Sequence, residues 1–221
     1  MQSAYDHLVK KDLSVIQLFD PPFNQAVPNP GYIRGYLPGV RENGGQYTHA
    51  AVWLIMAAAA LEDNQRTYDL IQMINPLNHG STPAGIQKYK TEPYVIAADV
   101  YAVENHQGRG GWTWYTGSAG WMYQLLAESF FGLHRVGNRL TIKPCIPDSW
   151  NFLNINYKFG DTEYHLRFER DFSVEELKLL LDGVNQDSSD VLLVDDHLFH
   201  EVKISLPGVK VNTERLLQLK A

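Results

Sequence analysis

A glycine-rich, aromatic turn joins an apolar helix in the middle of the chain, and its residue types suit the binding of an anion beside a sugar. The run reads GRGGWTWYTGSAGW over residues 108–121. Helical periodicity starts near Ser118, so Thr116 and Gly117 fall at the first free amides, where N–H groups and the helix dipole favour a phosphate or carboxylate. Four flanking aromatic side chains offer flat apolar faces of the kind that sugar rings stack on: Trp112, Trp114, Tyr115 and Trp121. A capped core helix with glycines for close packing explains the same pattern, and the turn alone does not decide.

A second candidate segment precedes the most apolar helix. It reads PGYIRGYLPGVRENGGQYTHA over residues 30–50 and contains Tyr36, Arg41, Glu42 and His49. An imidazole can donate one or two hydrogen bonds to an anion, and its charge responds to pH in the physiological range. An isolated histidine can equally satisfy a backbone carbonyl, and Arg41 with Glu42 can form a solvated pair of little energetic value.

Composition excludes several classes of function. The chain has 221 residues, of which 44% are hydrophobic and 12% aromatic, so it can bury a core. A net charge of −6 with both signs interspersed gives no sign of a nucleic-acid partner. The single cysteine, Cys145, excludes an internal disulfide and a multi-cysteine metal site, and we assign no metal.

The start of the chain and its most apolar window bear on location. No basic stretch followed by an apolar run opens the sequence, so we expect no secretory signal and a cytoplasmic location. The window 50–61 is about 12 residues long, against the ~20 that a membrane span requires. It therefore predicts a buried helix.

Helical periodicity dominates up to about Phe131. Apolar spacing predicts five helices, over residues 3–19, 45–63, 64–74, 94–103 and 118–133. The loops 23–45 and 80–93 are rich in Pro, Gly and Asn; loops longer than ~12–15 residues are usually functional in compact domains, so we expect them to build a site. The helices are apolar nearly all round, which predicts part of a larger helical assembly completed by upstream sequence or by another subunit.

After Gly132 the pattern changes to short segments with apolar spacing of period two. Turn signals at Phe159-Gly160-Asp161 and Asp182-Gly183 indicate antiparallel strands, and Asp195-Asp196 indicates another hairpin turn. We predict an α+β chain with a helical part over residues 1–132 and a β-sandwich of jelly-roll type over 133–221. His197 and His200 fall in the strand region, where we expect no metal site.

The two candidate segments together carry a family resemblance. The runs PGVRENGGQYTH and GRGGWTWYTGSAGWMY resemble the C-terminal part of the inverting glycoside phosphorylases of glycoside hydrolase family 94. Within that family the chain is most similar to the phosphorylase region of the cyclic β-1,2-glucan synthases, and LLVDDHLFHEVKISL in the tail also resembles that group. The resemblance runs from about Tyr5 through the strand-rich tail.

The resemblance implies a fold and a reaction. The fold is an (α/α)6 barrel, of which this chain supplies roughly the last half, followed by an antiparallel β-sandwich. In the reaction, phosphate attacks the anomeric carbon of a β-glucoside while a carboxylic acid protonates the departing oxygen, which gives α-glucose 1-phosphate with inversion. Phosphate takes the place of the water that an inverting glycosidase activates. Inorganic phosphate is then a co-substrate, and no cofactor is required.

The resemblance also assigns residues. His49 matches a phosphate-binding histidine, and Thr116 with Gly117 matches the pair that binds phosphate through hydroxyl and amide. Other residues are weaker candidates for binding the β-glucan: Tyr36, Arg41, Glu42, Glu104, Gln107, Arg109 and Trp114. Of these, Glu104 and Gln107 equally fit chance placement in a polar loop, and Arg109 equally fits a side chain that binds the carbonyls of its own turn.

The catalytic acid of the family lies in a segment that precedes Met1, so it maps onto no position here. We therefore expect the 221 residues to be inactive alone, as a fragment of a β-glucan phosphorylase. The resemblance further implies a place at the cytoplasmic face of a bacterial inner membrane, within a larger membrane protein. Two alternatives stay open: a non-catalytic carbohydrate-binding or assembly module, and a hydrolase of the same barrel type, which Thr116-Gly117 disfavours.

Overall fold

The structure is a computed structural model that describes residues 1–114 and 116–208, without the side chain of Thr116. It divides into two compact units, Met1–Phe130 and Phe131–Ala221. Helices dominate the first unit and strands the second, in agreement with the predicted α+β class. No described helix is long and apolar enough to cross a membrane.

Two central helices of the first unit form where the sequence predicts them. Helix α2 spans Thr48–Ala60 and helix α3 spans Asn64–Ile74, which confirms both predictions. The carboxylate of Asp63 caps α3 by accepting the Arg66 N–H at 3.1 Å. One face of α3 is buried at helical spacing, at Thr67, Leu70, Ile71 and Ile74. Helix α2 buries one side and leaves the Trp53 ring 52% exposed on another.

The helix predicted over residues 3–19 is wrong beyond its first turns. Helix α1 ends at Leu8 (Gln2–Leu8), and strands β1 (Val9–Lys10) and β2 (Val15–Ile16) follow as an antiparallel pair. Ser14 takes a left-handed backbone in the turn between them, with φ of 53°. The polar residues Lys11 and Asp12 lie in this turn, and β-branched residues favour the paired strands that flank it.

The helix predicted over residues 94–103 is also wrong, because this segment forms turns, bends and a short strand. Strand β4 (Asp99–Val100) pairs antiparallel with strand β3 (Gln46–Tyr47). The backbone N–H groups next to β4 donate to carbonyls distant in the chain, those of Gly39, Arg109 and Trp112, rather than within a helical turn. The loop predicted over 80–93 contains a further short helix, α5 (Pro83–Tyr89), which follows α4 (Pro76–His79). Pro83 at its start and the Thr82 hydroxyl, which accepts the Gly85 N–H at 3.0 Å, explain that helix.

The last helix of the first unit begins at Thr116, two residues before the predicted start. Helix α6 spans Thr116–Gln124 and continues as a π-helical segment over Leu125–Phe130. Thr116 and Gly117 therefore lie in its first turn, as the predicted anion site requires. Two short 3₁₀ helices, Phe23–Gln25 and Gly31–Gly35, lie in the loop predicted over 23–45.

The second unit contains two sheets among its described residues. Three strands form one sheet in the order β11-β6-β5, and five form the other in the order β10-β9-β12-β8-β7. Their bounds are β5 Leu133–Val136, β6 Arg139–Ile142, β7 Phe152–Phe159, β8 Thr162–Asp171, β9 Lys178–Leu181, β10 Val184–Asn185, β11 Asp190–Leu192 and β12 Phe199–Pro207. The sandwich packing of these sheets stays a prediction.

One strand pair departs from the predicted antiparallel arrangement. Strand β12 runs parallel to β8 and antiparallel to β9, so it enters the middle of the larger sheet. The chain reaches β12 from β11 of the other sheet, and such a crossover connection permits parallel pairing. Asp195-Asp196 lies in this crossover, so the hairpin turn predicted there is wrong.

The other predicted turns are confirmed. Gly160-Asp161 connects β7 to β8, and Asp182-Gly183 connects β9 to β10. Both central residues of the second turn have positive φ, 49° for Asp182 and 80° for Gly183, as a type I′ hairpin requires.

Candidate active site

A buried amide holds the loop that carries Arg41 and Glu42. The side chain of Asn43 is fully buried; its Oδ1 accepts the Phe23 N–H at 2.7 Å, and its Nδ2 donates to the Tyr36 carbonyl at 2.7 Å. Gly39 closes against Val103 so tightly that a side chain there would collide with the Val103 backbone. The loop is therefore a fixed structure rather than a flexible linker.

A second buried amide connects this loop to helix α2. Gln46 accepts the Ile16 N–H at 3.0 Å through Oε1, and its Nε2 donates to the Thr48 hydroxyl at 3.3 Å. Strand β3 thus joins the β2 strand on one side and leads directly into the first turn of α2, where His49 lies.

Arg41 and Glu42 do not form the solvated pair that the sequence left open. Each side chain is only 15% exposed, and Arg41 Nε lies 3.5 Å from Glu42 Oε2. The Arg41 guanidinium lies over two aromatic rings, 4.3 Å from the centre of Trp112 and 5.5 Å from that of Tyr36. Arg41 has a left-handed backbone, with φ of 48°, which a residue of this type adopts only under tertiary constraint. The structure therefore brings Tyr36, Arg41 and Glu42 together with Trp112.

The glycine-rich turn is attached to strand β4. The Gly111 N–H donates to the Asp99 carbonyl at 2.8 Å, and the Trp112 N–H donates to Asp99 Oδ1 at 3.0 Å. The Asp99 side chain lies near Arg41 and Glu42; burial raises the pKa of its carboxyl group, while the Trp112 amide and Arg41 oppose that rise. Asp99 is 1% exposed, so this carboxyl group lies inside the first unit.

His49 and Gly117 lie beside one another. A methyl group placed on Gly117 would lie 3.8 Å from Cε1 of His49, which is ordinary van der Waals contact. The imidazole also contacts the rings of Trp53 and Trp121, with centroids 5.1 and 5.5 Å away. The first turn of α2 and the first turn of α6 therefore meet here, with an aromatic wall.

Several buried polar atoms in this region have no hydrogen-bond partner among the described residues. Four belong to the residues already described: Arg41 Nε and Glu42 Oε2, which face each other as an ion pair at 3.5 Å, and His49 Nε2 and Asp99 Oδ2. Buried polar atoms are almost always satisfied, by protein, water or ligand. Such a concentration is typical of a site that completes its hydrogen bonds with a bound molecule.

Three predicted residues lie apart from this cluster in their contacts. Glu104, Gln107 and Arg109 are exposed, and the described residues offer no side-chain hydrogen bond or ion pair to them. Arg109 does fix its turn, but through its backbone, whose carbonyl accepts the Tyr101 N–H at 2.8 Å. Glu104 borders a separate open groove of about 420 Å³ with Leu37 and Pro38.

Trp114 is exposed and constrained. Its backbone is left-handed, with φ of 63°, and its Nε1 donates to Glu92 Oε1 at 3.1 Å. The Tyr94 ring meets it edge-on at 6.5 Å. The pKa of the Glu92 carboxyl group is lowered, mainly by its own backbone N–H and then by the Trp114 indole. Tyr115 and the Thr116 side chain lie outside the described residues, so the hydroxyl part of the predicted phosphate site is not described.

Sequence reasoning missed three residues that shape the site. Asn43, Gln46 and Asp99 are all buried and all bond to segments distant in the chain. Asn43 and Gln46 stand inside the recognised motif, but nothing in the sequence shows which of its polar residues face inward. The only signal for Asp99 was its apolar surroundings, AADVY, in which a single carboxylate is expensive to bury.

Comparison with known proteins identifies the family of this chain. Residues 1–132 match the family model described as the glycosyl hydrolase 94 superfamily, catalytic domain. The chain is 41% identical over 171 residues to the cyclic beta-(1,2)-glucan synthase NdvB of Rhizobium meliloti (strain 1021), a match that covers 77% of this chain and 6% of that protein.

Two phosphorylases are more distant relatives. The N,N'-diacetylchitobiose phosphorylase of Vibrio furnissii is 28% identical over 170 residues, which is 75% of this chain and 20% of that protein. The solabiose phosphorylase of Paenibacillus borealis is 26% identical over 198 residues, which is 84% of this chain and 24% of that protein. The matches therefore span 6% to 24% of the length of these relatives. Since the family model covers well over half of the residues, the chain belongs to the glycosyl hydrolase 94 superfamily.

Proposed function

We propose that the chain is the C-terminal part of a β-glucan phosphorylase, acting on β-1,2-linked glucan, that transfers a glucosyl unit to inorganic phosphate with inversion. The bond from the anomeric carbon to the departing oxygen breaks, and a bond from that carbon to a phosphate oxygen forms. The departing oxygen takes a proton, and α-glucose 1-phosphate leaves. The phosphorylase names of two relatives support phosphate as co-substrate, and the 41% identity to a β-1,2-glucan synthase supports the linkage.

The observation that carries this proposal is the meeting of His49 with the first turn of α6. A methyl group on Gly117 would come within 3.8 Å of His49 Cε1, and His49 Nε2 is buried without a hydrogen-bond partner among the described residues. An imidazole and the free amides of a helix start are donors to an oxyanion, and they need no reorganisation when the reaction begins. In this proposal phosphate accepts from His49, from the Gly117 amide and from the Thr116 hydroxyl.

The glucan binds beside the phosphate, on the Arg41 side. Arg41, Glu42 and Tyr36 meet the sugar, with the exposed faces of Trp112 and Trp114 as stacking surfaces. Three exposed residues stay candidates for binding longer glucan chains: Glu104, Gln107 and Arg109. Their side chains make no hydrogen bond or ion pair with the described residues.

The general acid belongs, in this proposal, to family sequence that these 221 residues do not include. General acid catalysis commonly contributes about 10²–10⁴ in rate, so the 221 residues alone should not turn over a glycoside. The remaining helices of the (α/α)6 barrel, or a second copy of the chain, would cover the open side of α2 at Trp53. We place the protein in the cytoplasm, at the inner face of the membrane.

Product analysis tests the proposal on the protein expressed from its natural gene. The protein is incubated with β-1,2-glucooligosaccharides with and without phosphate, and the anomer of each product is identified by NMR. We expect α-glucose 1-phosphate, formed only when phosphate is present. His49→Ala should raise the KM for phosphate roughly 10- to 100-fold, as expected for a lost hydrogen bond to a charged group. His106→Ala, at an exposed histidine of the same unit, is the matched control and should change nothing.

Two other results would contradict the proposal. Glucose release that does not depend on phosphate would indicate a hydrolase. Glucan binding with no product under either condition would indicate a non-catalytic carbohydrate-binding module.

A further inference from the structure

We propose that Asp99 is a positioning residue of this site: its buried carboxylate fixes the turn at Gly111 and Trp112 to strand β4, so that the Trp112 ring supports the Arg41 guanidinium. The inference rests on the proposed function only for the sugar that Arg41 and Trp112 meet. Asp99 itself touches no proposed substrate atom. It acts through Trp112 and Arg41.

Strand β4 and the turn are joined by both backbone and side chain. The Ala98 N–H donates to the Trp112 carbonyl at 2.6 Å, and the Gly111 N–H donates to the Asp99 carbonyl at 2.8 Å. The carboxylate adds the bond to the Trp112 amide, at 3.0 Å. Residue 112 is therefore held on both its N–H and its C=O, and the side-chain bond is the one that a substitution can remove.

Gly111 shows how closely the turn lies on this carboxylate. A Cβ built at Gly111 would collide with Cγ and both oxygens of Asp99. The backbone of the turn therefore packs directly on the carboxyl group, and only glycine fits. This contact gives the turn one position relative to β4.

The position of Trp112 decides that of Arg41. The guanidinium lies 4.3 Å from the Trp112 ring centre, and Arg41 Nε is 3.5 Å from Glu42. Arg41 sits on a left-handed backbone, so its placement depends on side-chain partners rather than on local preference. A shift of the turn would move the cation and leave His49 and Gly117, which lie on α2 and α6, in place.

Two substitutions separate positioning by the hydrogen bond from the effect of charge. Asp99→Asn keeps an oxygen acceptor for the Trp112 N–H and removes the charge. Asp99→Ala removes both. Under the proposal, Asp99→Asn retains most of the glucan binding that Asp99→Ala loses. If only the charge of Asp99 mattered, the two variants would lose the same amount.

The test combines an NMR measurement with kinetics on the protein from its natural gene, labelled with ¹⁵N at tryptophan. The Trp112 indole signal is assigned with Trp112→Phe. In Asp99→Ala we expect this signal to shift, while the Trp53 and Trp121 signals keep their positions. The KM for glucan should rise about 10-fold, and the KM for phosphate should change less than about 2-fold. Asp99→Asn should stay close to wild type. Asp69→Ala, at an exposed carboxylate on α3, is the control and should move neither quantity.

The inference is overturned if the Trp112 signal does not move, if all indole signals move together, or if both KM values rise equally. If Asp99→Ala does not fold, Gly111→Ala keeps both Asp99 and Trp112 but displaces the turn from the carboxyl group, and it should shift the Trp112 indole signal and selectively raise the KM for glucan; an unmoved Trp112 signal would overturn the inference. If the wild-type protein forms no glucose 1-phosphate, the proposed function fails, but the indole spectra still decide the role of Asp99.

Discussion

The loop that presents Arg41 and Glu42 should depend on one amide, that of Asn43. Replacing Asn43 with Ala removes an acceptor 2.7 Å from the Phe23 N–H and a donor 2.7 Å from the Tyr36 carbonyl. Asn43 is fully buried, so water cannot replace the amide without a rearrangement of the loop. Both backbone groups are then left unpaired.

The size of the effect follows from these two groups. A buried backbone group without a partner costs about 1–3 kcal/mol, so the pair should lower the free energy of unfolding by about 2–6 kcal/mol. At an m value of about 2 kcal/mol/M, this loss lowers the urea midpoint by about 1–3 M.

Tryptophan fluorescence during urea unfolding measures this change in the right part of the chain. Four of the five tryptophans, Trp53, Trp112, Trp114 and Trp121, lie in the first unit, so the signal reports mainly on that unit. The matched control is Asn78→Ala, which removes an exposed amide whose Nδ2 donates to Gln72 at 2.9 Å. An exposed substitution of this kind should cost less than about 0.5–1 kcal/mol. Equal midpoints for the two variants would refute the reasoning, because they would show that the buried bonds do not hold the loop.

Two further predictions concern the second unit, and hydrogen exchange in β8 and β12 measures both. Arg170→Met should destabilise this unit, because the largely buried guanidinium donates to four backbone carbonyls and pairs with Asp148 at 3.3 Å. Amide protection equal to that of the wild type would contradict this prediction. His200 lies between Asp182 and Asp196. The hydrogen bond to the Asp182 carboxylate raises the pKa of His200 above its ordinary value; burial opposes this rise, and Asp196 adds to it. Hydrogen bonding lowers the pKa of both carboxyl groups. The imidazolium therefore stabilises the fold fully below about pH 6.5 and progressively less as the pH rises through the raised pKa, while the carboxylates contribute above about pH 4. Stability should peak between these values, and His200→Gln should abolish the decline above pH 6.5; an unchanged decline would contradict the assignment.

The parts of the fold that the sequence predicts are those set by local pattern. Helix α3 has its N-cap, Asp63, directly before its eleven residues and carries its apolar face within them. The turns at Gly160-Asp161 and Asp182-Gly183 are specified by residues that tolerate positive φ. Local information is sufficient for such elements.

The parts that the sequence did not predict depend on distant partners. Residues 94–103 have apolar spacing compatible with a helix, yet β3 pairs with Asp99 and Val100 at the centre of the segment, which contains no helix. Strand β12 inserts beside β8 in parallel, which depends on the path of the chain between sheets rather than on its own residues. Tertiary pairing overrides local preference in both cases.

The candidate site divides in the same way. The motif residues His49 and Gly117 come from the family resemblance, and the structure places them so that a methyl group on Gly117 would lie 3.8 Å from His49 Cε1. Asn43 and Asp99 contribute through hydrogen bonds that cross between loops, and such bonds leave no periodic signal in the sequence.

The central claim is that inorganic phosphate binds between His49 and the first turn of α6. A titration of ¹⁵N-labelled protein with phosphate, at constant ionic strength, tests it most directly. A methyl group at Gly117 would lie 3.8 Å from His49 Cε1 and occupy the space between imidazole and helix, whereas one at Gly120 on the same helix would contact nothing within 4 Å. We predict saturable shifts at the Gly117 amide and the His49 ring, weakened about 10-fold or more in Gly117→Ala and unchanged in Gly120→Ala. Equal phosphate affinity in the two variants, or shifts confined to other residues, would contradict the claim.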